Sequence, residues 1–256
     1  MRERWQLAAY QQLSPGWQQQ LAFTLTVTTS YEGAAALLRR LGHQADDTTL
    51  HTLAQTLGAR AEAQTQQRMQ QPVQEQTPQR AASAVGVLML DGWMVRQRGP
   101  GWGKKRTTNP RVEWHELKTG VFYLQEQAVH KNGRGLLTDK VVVSWQGEPL
   151  ALGQRLHQAA CEHGLGRAQA KLVVSDGAPW IWNVAQDRWP GAVEVLDFYH
   201  ASQHVWDLGE AVIGERQAAQ PWVEKQLHQL RHGRHALALR TIASLKAGRD
   251  AAGEVI

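Results

Sequence analysis

Three aspartates follow short apolar runs: Asp91 after VGVLML, Asp176 after KLVVS and Asp197 after VEVL. In an open α/β sheet, sites form at the carboxyl ends of the strands. If the first and fourth strands are neighbours, Asp91 and Asp176 converge although 85 positions separate them in sequence. Two close carboxylates repel each other, and a divalent cation relieves that repulsion. Mg2+ favours such hard oxygen ligands and keeps waters for a substrate phosphate. Ions held in this way can activate a water or hydroxyl and stabilise the leaving oxygen of a phosphodiester. The plainer account is that Asp91-Gly92 and Asp176-Gly177 only make turns after strands. Asp197, His200, His204 and Asp207 form a second group, in DFYHASQHVWDLGE. His200 and His204 stand four apart and would share a helix face, as a paired-His metal site requires. Helix capping by Asp197, with hydrogen-bonded histidines, explains the same pattern.

Charge singles out a different segment. The chain has 256 residues and a net charge of +5. Residues 1–84 carry +1, residues 85–141 carry +5 and residues 142–256 carry −1. The excess is concentrated in Arg96, Arg98, Lys104, Lys105, Arg106 and Arg111, with no acid among positions 96–111. Gly99, Pro100, Gly101 and Gly103 interrupt the run, so a mobile basic loop is expected rather than a helix face. Such a loop suits a polyanion, because it can follow phosphates and release counterions. A solvated surface loop is the alternative. Of the 11 tryptophans, Trp93, Trp102, Trp114, Trp180, Trp182, Trp189 and Trp206 lie in the α/β part. Some could stack on bases and others fill the core, and the sequence does not separate the two.

The elements that must position these groups read as follows. Ser14-Pro15 starts a helix whose Trp17, Leu21 and Leu25 share a face. Ser30 caps a second helix, Tyr31 to Leu41, that stops at Gly42. Asp46, Asp47 and Thr48 offer caps for a third, with Leu50, Leu53, Ala54 and Leu57 on one side. Two short helices around a tight glycine turn resemble helix-turn-helix geometry, although the third helix lacks the basic residues of a recognition helix. Residues 1–63 are therefore expected to be helical, as a DNA-binding region or an ordinary bundle. Residues 64–84, rich in Gln and with Pro72 and Pro78, read as a helix end and linker. The domain boundary is expected near 80–84.

From residue 85 the pattern becomes strand at 85–90, strand at about 112–125, strand at 141–143, helix at 149–164, strand at 171–175, helix at 179–188 and strand at 193–196. Helices follow at about 198–213, 216–231 and 234–247. The β-β-β-α-β-α-β order implies an antiparallel meander followed by right-handed parallel crossovers. The apolar strands 85–90 and 171–175 belong at the middle of a sheet covered on both faces. The fold class is mixed α/β. One cysteine allows no internal disulfide, which fits a reducing compartment. No window approaches a membrane span. The polar residues after Met1-Arg2-Glu3-Arg4-Trp5 argue against a signal peptide. A cytoplasmic protein without membrane association is expected.

The block LVVSDGAPWIWNVAQDRWPGAVEVLDFYHASQHVWDLGEAVIG (172–214) resembles the second-aspartate region of bacterial insertion-sequence transposases of the Kra type. These are relatives of the Mutator-like transposases. VLMLDGWMVRQR (87–98) is similar to their first-aspartate strand, and residues 13–42 are similar to their upstream helical region. The resemblance implies an RNase H-like DDE core over 85–200, with the start of a helical insertion over 201–256. It implies catalytic and metal-binding roles for Asp91 and Asp176. Asp197 and His200 match an Asp-x-x-His signature, which with His204 is expected to support the site or bind the DNA end. Implied partners are transposon-end and target DNA, with a homo-oligomer in the full-length form. The implied cofactor is Mg2+, with Mn2+ able to replace it. The reaction is end cleavage followed by strand transfer from the 3′ hydroxyl.

The family's third acid, a glutamate in a Gly-Ser-Gly-x-Val-Glu type block, has no counterpart in these 256 residues. Glu210, Glu215 and Glu224 stand in the wrong context and receive no role. A truncated, frameshifted or split copy is therefore expected, inactive or very weak by itself and only marginally folded. The alternatives are a non-catalytic DNA-binding remnant and an unrelated RNase H-like nuclease.

Overall fold

The computed structural model describes residues 13–73, 84–106, 108–131 and 134–244. The chain divides into two compact units, residues 1–72 and 73–256. The division falls before the expected 80–84 boundary, shortly after the third helix, which continues into the glutamine-rich stretch as expected, ends at Met69. Residues 74–83 and 245–256, including the end of the expected 234–247 helix, lie outside the described residues.

The first unit is a three-helix cluster: α1 (Pro15–Val27), α2 (Tyr31–Arg40) and α3 (Asp47–Met69). Each start is capped as the sequence implies. Ser14 Oγ accepts from the Trp17 N–H at 3.3 Å, Ser30 Oγ from Gly33 at 3.0 Å and Asp46 Oδ1 from Thr49 at 2.6 Å. Leu21, Ala34, Ala35, Leu38, Leu50 and Leu53 close the core. Six residues connect α2 to α3, more than the three or four of a helix-turn-helix turn, so the expected tight turn is not formed.

The Thr49 amide holds the Asp46 carboxyl below its ordinary value of 3.8. A carboxylate whose folded value is depressed stabilises the fold above its unfolded value and loses that contribution as pH falls through the folded one. The helical unit should therefore lose stability on acidification below about pH 4. Asp46→Asn, which keeps a capping oxygen, should flatten that part of the pH profile in thermal melts. An unchanged profile would contradict the cap's role.

The second unit is built on a mixed five-stranded sheet. Its strands are β1 (Val85–Arg98), β2 (Val112–Leu124), β5 (Val141–Trp145), β6 (Ala170–Ser175) and β7 (Val193–Leu196), in the order β5-β2-β1-β6-β7. β2 pairs antiparallel with both β1 and β5. β6 pairs parallel with both β1 and β7. The helical crossovers α4 (Pro149–Glu162) and α5 (Pro179–Arg188) make the parallel pairings sterically available. A separate hairpin, β3 (Ala128–Lys131) with β4 (Arg134–Leu137), was not expected. Its only sequence signal is the Asn132-Gly133 dipeptide between two short, weakly patterned runs.

One face of the sheet packs on α4 and α5. Leu88, Leu90, Phe122, Leu124 and Val173 meet Leu152, Leu156, Ile181 and Val184 in a single core. Close contact depends on Gly120 of β2, where any Cβ would collide with the Leu156 side chain of α4. The opposite face departs from expectation. β1 and β6 do lie in the interior of the sheet, but Met89 is 42% exposed and Val142 54%. Cover on that side is felt at Val87, 7% exposed, and at its cross-strand partner Tyr123, whose phenol burial pushes up in pKa. An apolar strand thus marks an interior position in the sheet without guaranteeing a layer on each side.

After the sheet come α6 (Phe198–Ile213), α7 (Arg216–Arg231) and α8 (His235–Ser244). α6 and α7 share a small core of Val205, Ala219, Val223 and Leu227. Among the described residues, no helix is long and apolar enough to cross a membrane.

Candidate functional site

The register of the parallel strands decides where the aspartates lie. Val85 pairs with Ala170 and Met89 with Val174, a constant offset of 85. Two residues further along, the same offset sets Asp91 level with Asp176. β6 and β7 pair with a constant offset of 21, from Leu172 with Val193 to Ser175 with Leu196. The next step sets Asp176 level with Asp197, and the Asp197 N–H donates to the Ser175 carbonyl at 2.7 Å. Neighbouring strands run about 4.8 Å apart. Continued to the strand ends, the register sets the three aspartates level at the carboxyl end of the parallel part of the sheet.

The antiparallel side extends the row. Asp91 pairs with Thr119, and Thr119 pairs with Ser144 of β5. The two hydroxyls hydrogen-bond at 3.0 Å. Sequence reading missed Thr119 and Ser144. The period-two alternation of β2 was the available signal, since it puts Thr119 on the face opposite Phe122. Asp91 and Thr119 lie on the open face of the sheet, because Leu90, one residue before Asp91, points to the helix-covered side, and Asp176 and Asp197 each follow the last residue of their strand.

Each carboxylate is held by local backbone. Asp91 Oδ1 accepts from the Gly92 N–H at 2.7 Å. Asp176 Oδ1 accepts from the Ala178 N–H at 2.9 Å, just ahead of α5. Asp197 Oδ1 accepts from the Tyr199 N–H at 3.0 Å and caps α6, the plainer of its two expected roles. On α6, His200 and His204 approach with their Nε2 atoms 3.0 Å apart. Asp207 lies one turn on, accepting from Gln203 at 2.8 Å. The helix thus brings the two histidines together as their spacing implies. Among the described residues, no group of three or more His, Cys, Asp or Glu side chains is arranged to hold a metal ion. Asp91 and Asp176 offer the hard oxygen donors a divalent cation favours, as two carboxylates rather than a closed set.

The basic segment differs from its expected form. Strand β1 does not stop at Asp91 but continues to Arg98, paired with β2 down to Val112. Arg96 and Arg98 are therefore strand residues rather than loop residues. Pairing to β6 ends at Met89 and pairing to β5 ends at Lys118. Beyond them β1 and β2 run on as a two-stranded ribbon of six residue pairs, about 20 Å long at 3.4 Å per residue. The continuation is hard to read because WMVRQR and VEWHEL mix apolar and charged residues on both sides of the pleat. Lys104, Lys105, Arg106 and Arg111 lie around its tip, where they were expected. The tip is tied by Gly99 N–H to Arg111 carbonyl at 3.0 Å, Gly101 N–H to Pro110 carbonyl at 2.9 Å and Arg111 to the Lys104 carbonyl at 3.2 Å. At Gly99 a Cβ would strike the Pro110 carbonyl, so this turn needs glycine.

The tryptophans now separate. Trp189 is buried, and Trp145, Trp180 and Trp182 pack against the sheet core. Trp206 packs in the α6–α7 cluster. Trp93 is 57% exposed, Trp102 47% and Trp114 61%. Trp93 follows Asp91 by two residues and so shares its face of β1. No protein-family model matches the chain, and no curated protein matches it.

Proposed function

We propose that the chain is the DNA-acting part of an insertion-sequence transposase, with an RNase H-like core in which Asp91 and Asp176 are the first two acids. The observation that carries this reading is the 85-residue register offset between β1 and β6, which levels the two aspartates across adjacent parallel strands. The strand order supports it, with β2 and β5 joined antiparallel on one side of β1 and β6 and β7 joined parallel on the other. The basic ribbon tip supports it too, because a phosphate backbone is the partner that several clustered cations favour.

In this reading the two carboxylates, fixed by the Gly92 and Ala178 amides, would hold Mg2+ or Mn2+ for work on a phosphodiester. The bound ion would supply activation of the attacking hydroxyl and stabilisation of the leaving oxygen. Thr119 and Ser144 continue the polar floor beside Asp91. Asp197 positions the start of α6, which carries His200 and His204 toward the DNA end. Lys104, Lys105, Arg106 and Arg111 bind phosphates away from the reacting atoms. Two carboxylates alone bind a divalent ion weakly, so turnover by this chain by itself should be weak. The reading is tested by titrating Mn2+ into the chain and its Asp91→Asn and Asp176→Asn variants with duplex DNA present. Loss of binding in both variants is expected, and unchanged binding in both would contradict it.

A further inference from the structure

The β1–β2 ribbon has two faces, and they carry different chemistry. On one lie Trp93, Val95 and Gln97 of β1, opposite Leu117, His115 and Glu113 of β2. His115 and Glu113 meet there at 3.2 Å. On the other, Arg96 stands directly opposite Trp114, and Arg98 is two residues further along. The Arg98 guanidinium lies over the Trp102 ring, 5.1 Å from its centroid. The acid on this face, Glu116, is engaged by Lys118, whose Nζ is 2.6 Å from its carboxylate. The face therefore presents two half-exposed indoles and two guanidiniums, with its acid already paired.

We infer that this face of the ribbon binds unpaired nucleotides, with bases stacking on Trp102 and Trp114 while Arg96 and Arg98 take the adjoining phosphates. The inference rests on the reading that the chain acts on DNA, and it specifies which form of DNA the ribbon engages. A two-stranded ribbon can enter the major groove of a duplex, but it reads base edges there, through hydrogen bonds. The indole ring offers a flat apolar face and a single N–H. Within a duplex the matching surface, the face of the base, is already stacked on its neighbours. Unpaired bases leave that face available, and stacking on an aromatic side chain tolerates any base. Arginine can stack on a ring and bond a phosphate at once, which lysine cannot. Exposing Trp102 and Trp114 on one face of the projection, with Trp93 on the other, is otherwise costly to solubility.

The test compares a labelled 15-nucleotide single strand with a duplex of the same sequence, by fluorescence anisotropy on the full chain. Trp114→Ala and Trp102→Ala should each weaken single-strand binding about five-fold or more, with duplex binding changed less than about two-fold. Trp→Phe at either position should restore most of the loss, because the aromatic face is kept. Arg96→Ala should weaken both and lower the salt dependence of each by about one phosphate contact. Both indoles are half-exposed, so the variants should melt with the parent. Equal loss on single strand and duplex, or no loss in either tryptophan variant, would overturn the inference and leave duplex binding standing. Failure of the parent chain to bind either DNA would overturn the DNA reading itself.

Discussion

Phe122→Ala should cost the second unit about 3–5 kcal/mol of stability, the range for removing a fully buried aromatic ring. Phe122 is completely buried at the centre of β2, opposite Leu88. Its ring occupies the space that Gly86 leaves on β1, where a Cβ would come within 3.2 Å of the ring. Neighbouring backbone cannot collapse into the hole without disturbing the β1–β2 register, which also places Asp91. A domain of this size holds only about 5–15 kcal/mol in total, so the variant should be largely unfolded well before the parent in urea. Val142→Ala, on the open face of β5, should cost far less because that side chain is more than half exposed. Comparable losses in the two variants would contradict the assignment of the covered and open faces.

The second large effect concerns the ribbon tip. Lys104, Lys105 and Arg106 are all exposed, so replacing them with alanine should leave the melt unchanged. If each contacts one phosphate, the slope of log affinity against log salt should become shallower by about three, at roughly 0.9 per contact. Extrapolated from 1 M to 0.1 M salt, that is a loss of about 100-fold or more in duplex affinity. Arg39→Ala with Arg40→Ala, at the end of α2, is the control, because the helical unit is the other candidate for phosphate contact. An unchanged slope in the triple variant, with a large drop in the α2 variant, would move the DNA contact to the helical unit.

Much of the scaffold was legible because its signals are local. Caps at Ser14, Ser30 and Asp46, prolines at the first turns of α4 and α5, and glycine after α4 each act within one helical turn. Apolar runs at 85–90 and 171–175 marked interior strands. The sequence placed Asp91 and Asp176 at the ends of two such runs, while the register that sets them level came from the strand pairing. What escaped was non-local. Nothing within WMVRQR says that β1 should continue past Asp91, because its partner is a stretch of β2 some twenty residues away. Thr119 and Ser144 joined the polar row only through two successive cross-strand registers. The exposure of Met89 and Val142 depends on which elements cover a face, and hydrophobic pattern alone carries no such information.

The proposed function requires Asp91 and Asp176 to act together on one divalent ion. Mn2+ binding, followed by the loss of its free-ion paramagnetic signal in the presence of duplex DNA, addresses this most directly. The full chain should be compared with Asp91→Asn, Asp176→Asn and, as a control, Asp187→Asn on α5, whose carboxylate pairs with Arg188. Affinity should fall about ten-fold or more in each of the first two and stay at the parent value in the third. Their melting temperatures should stay near the parent's, since Asn keeps an oxygen to accept from the Gly92 and Ala178 amides. Parent-like Mn2+ binding in both Asp91→Asn and Asp176→Asn, or an equal loss in all three, would contradict the account.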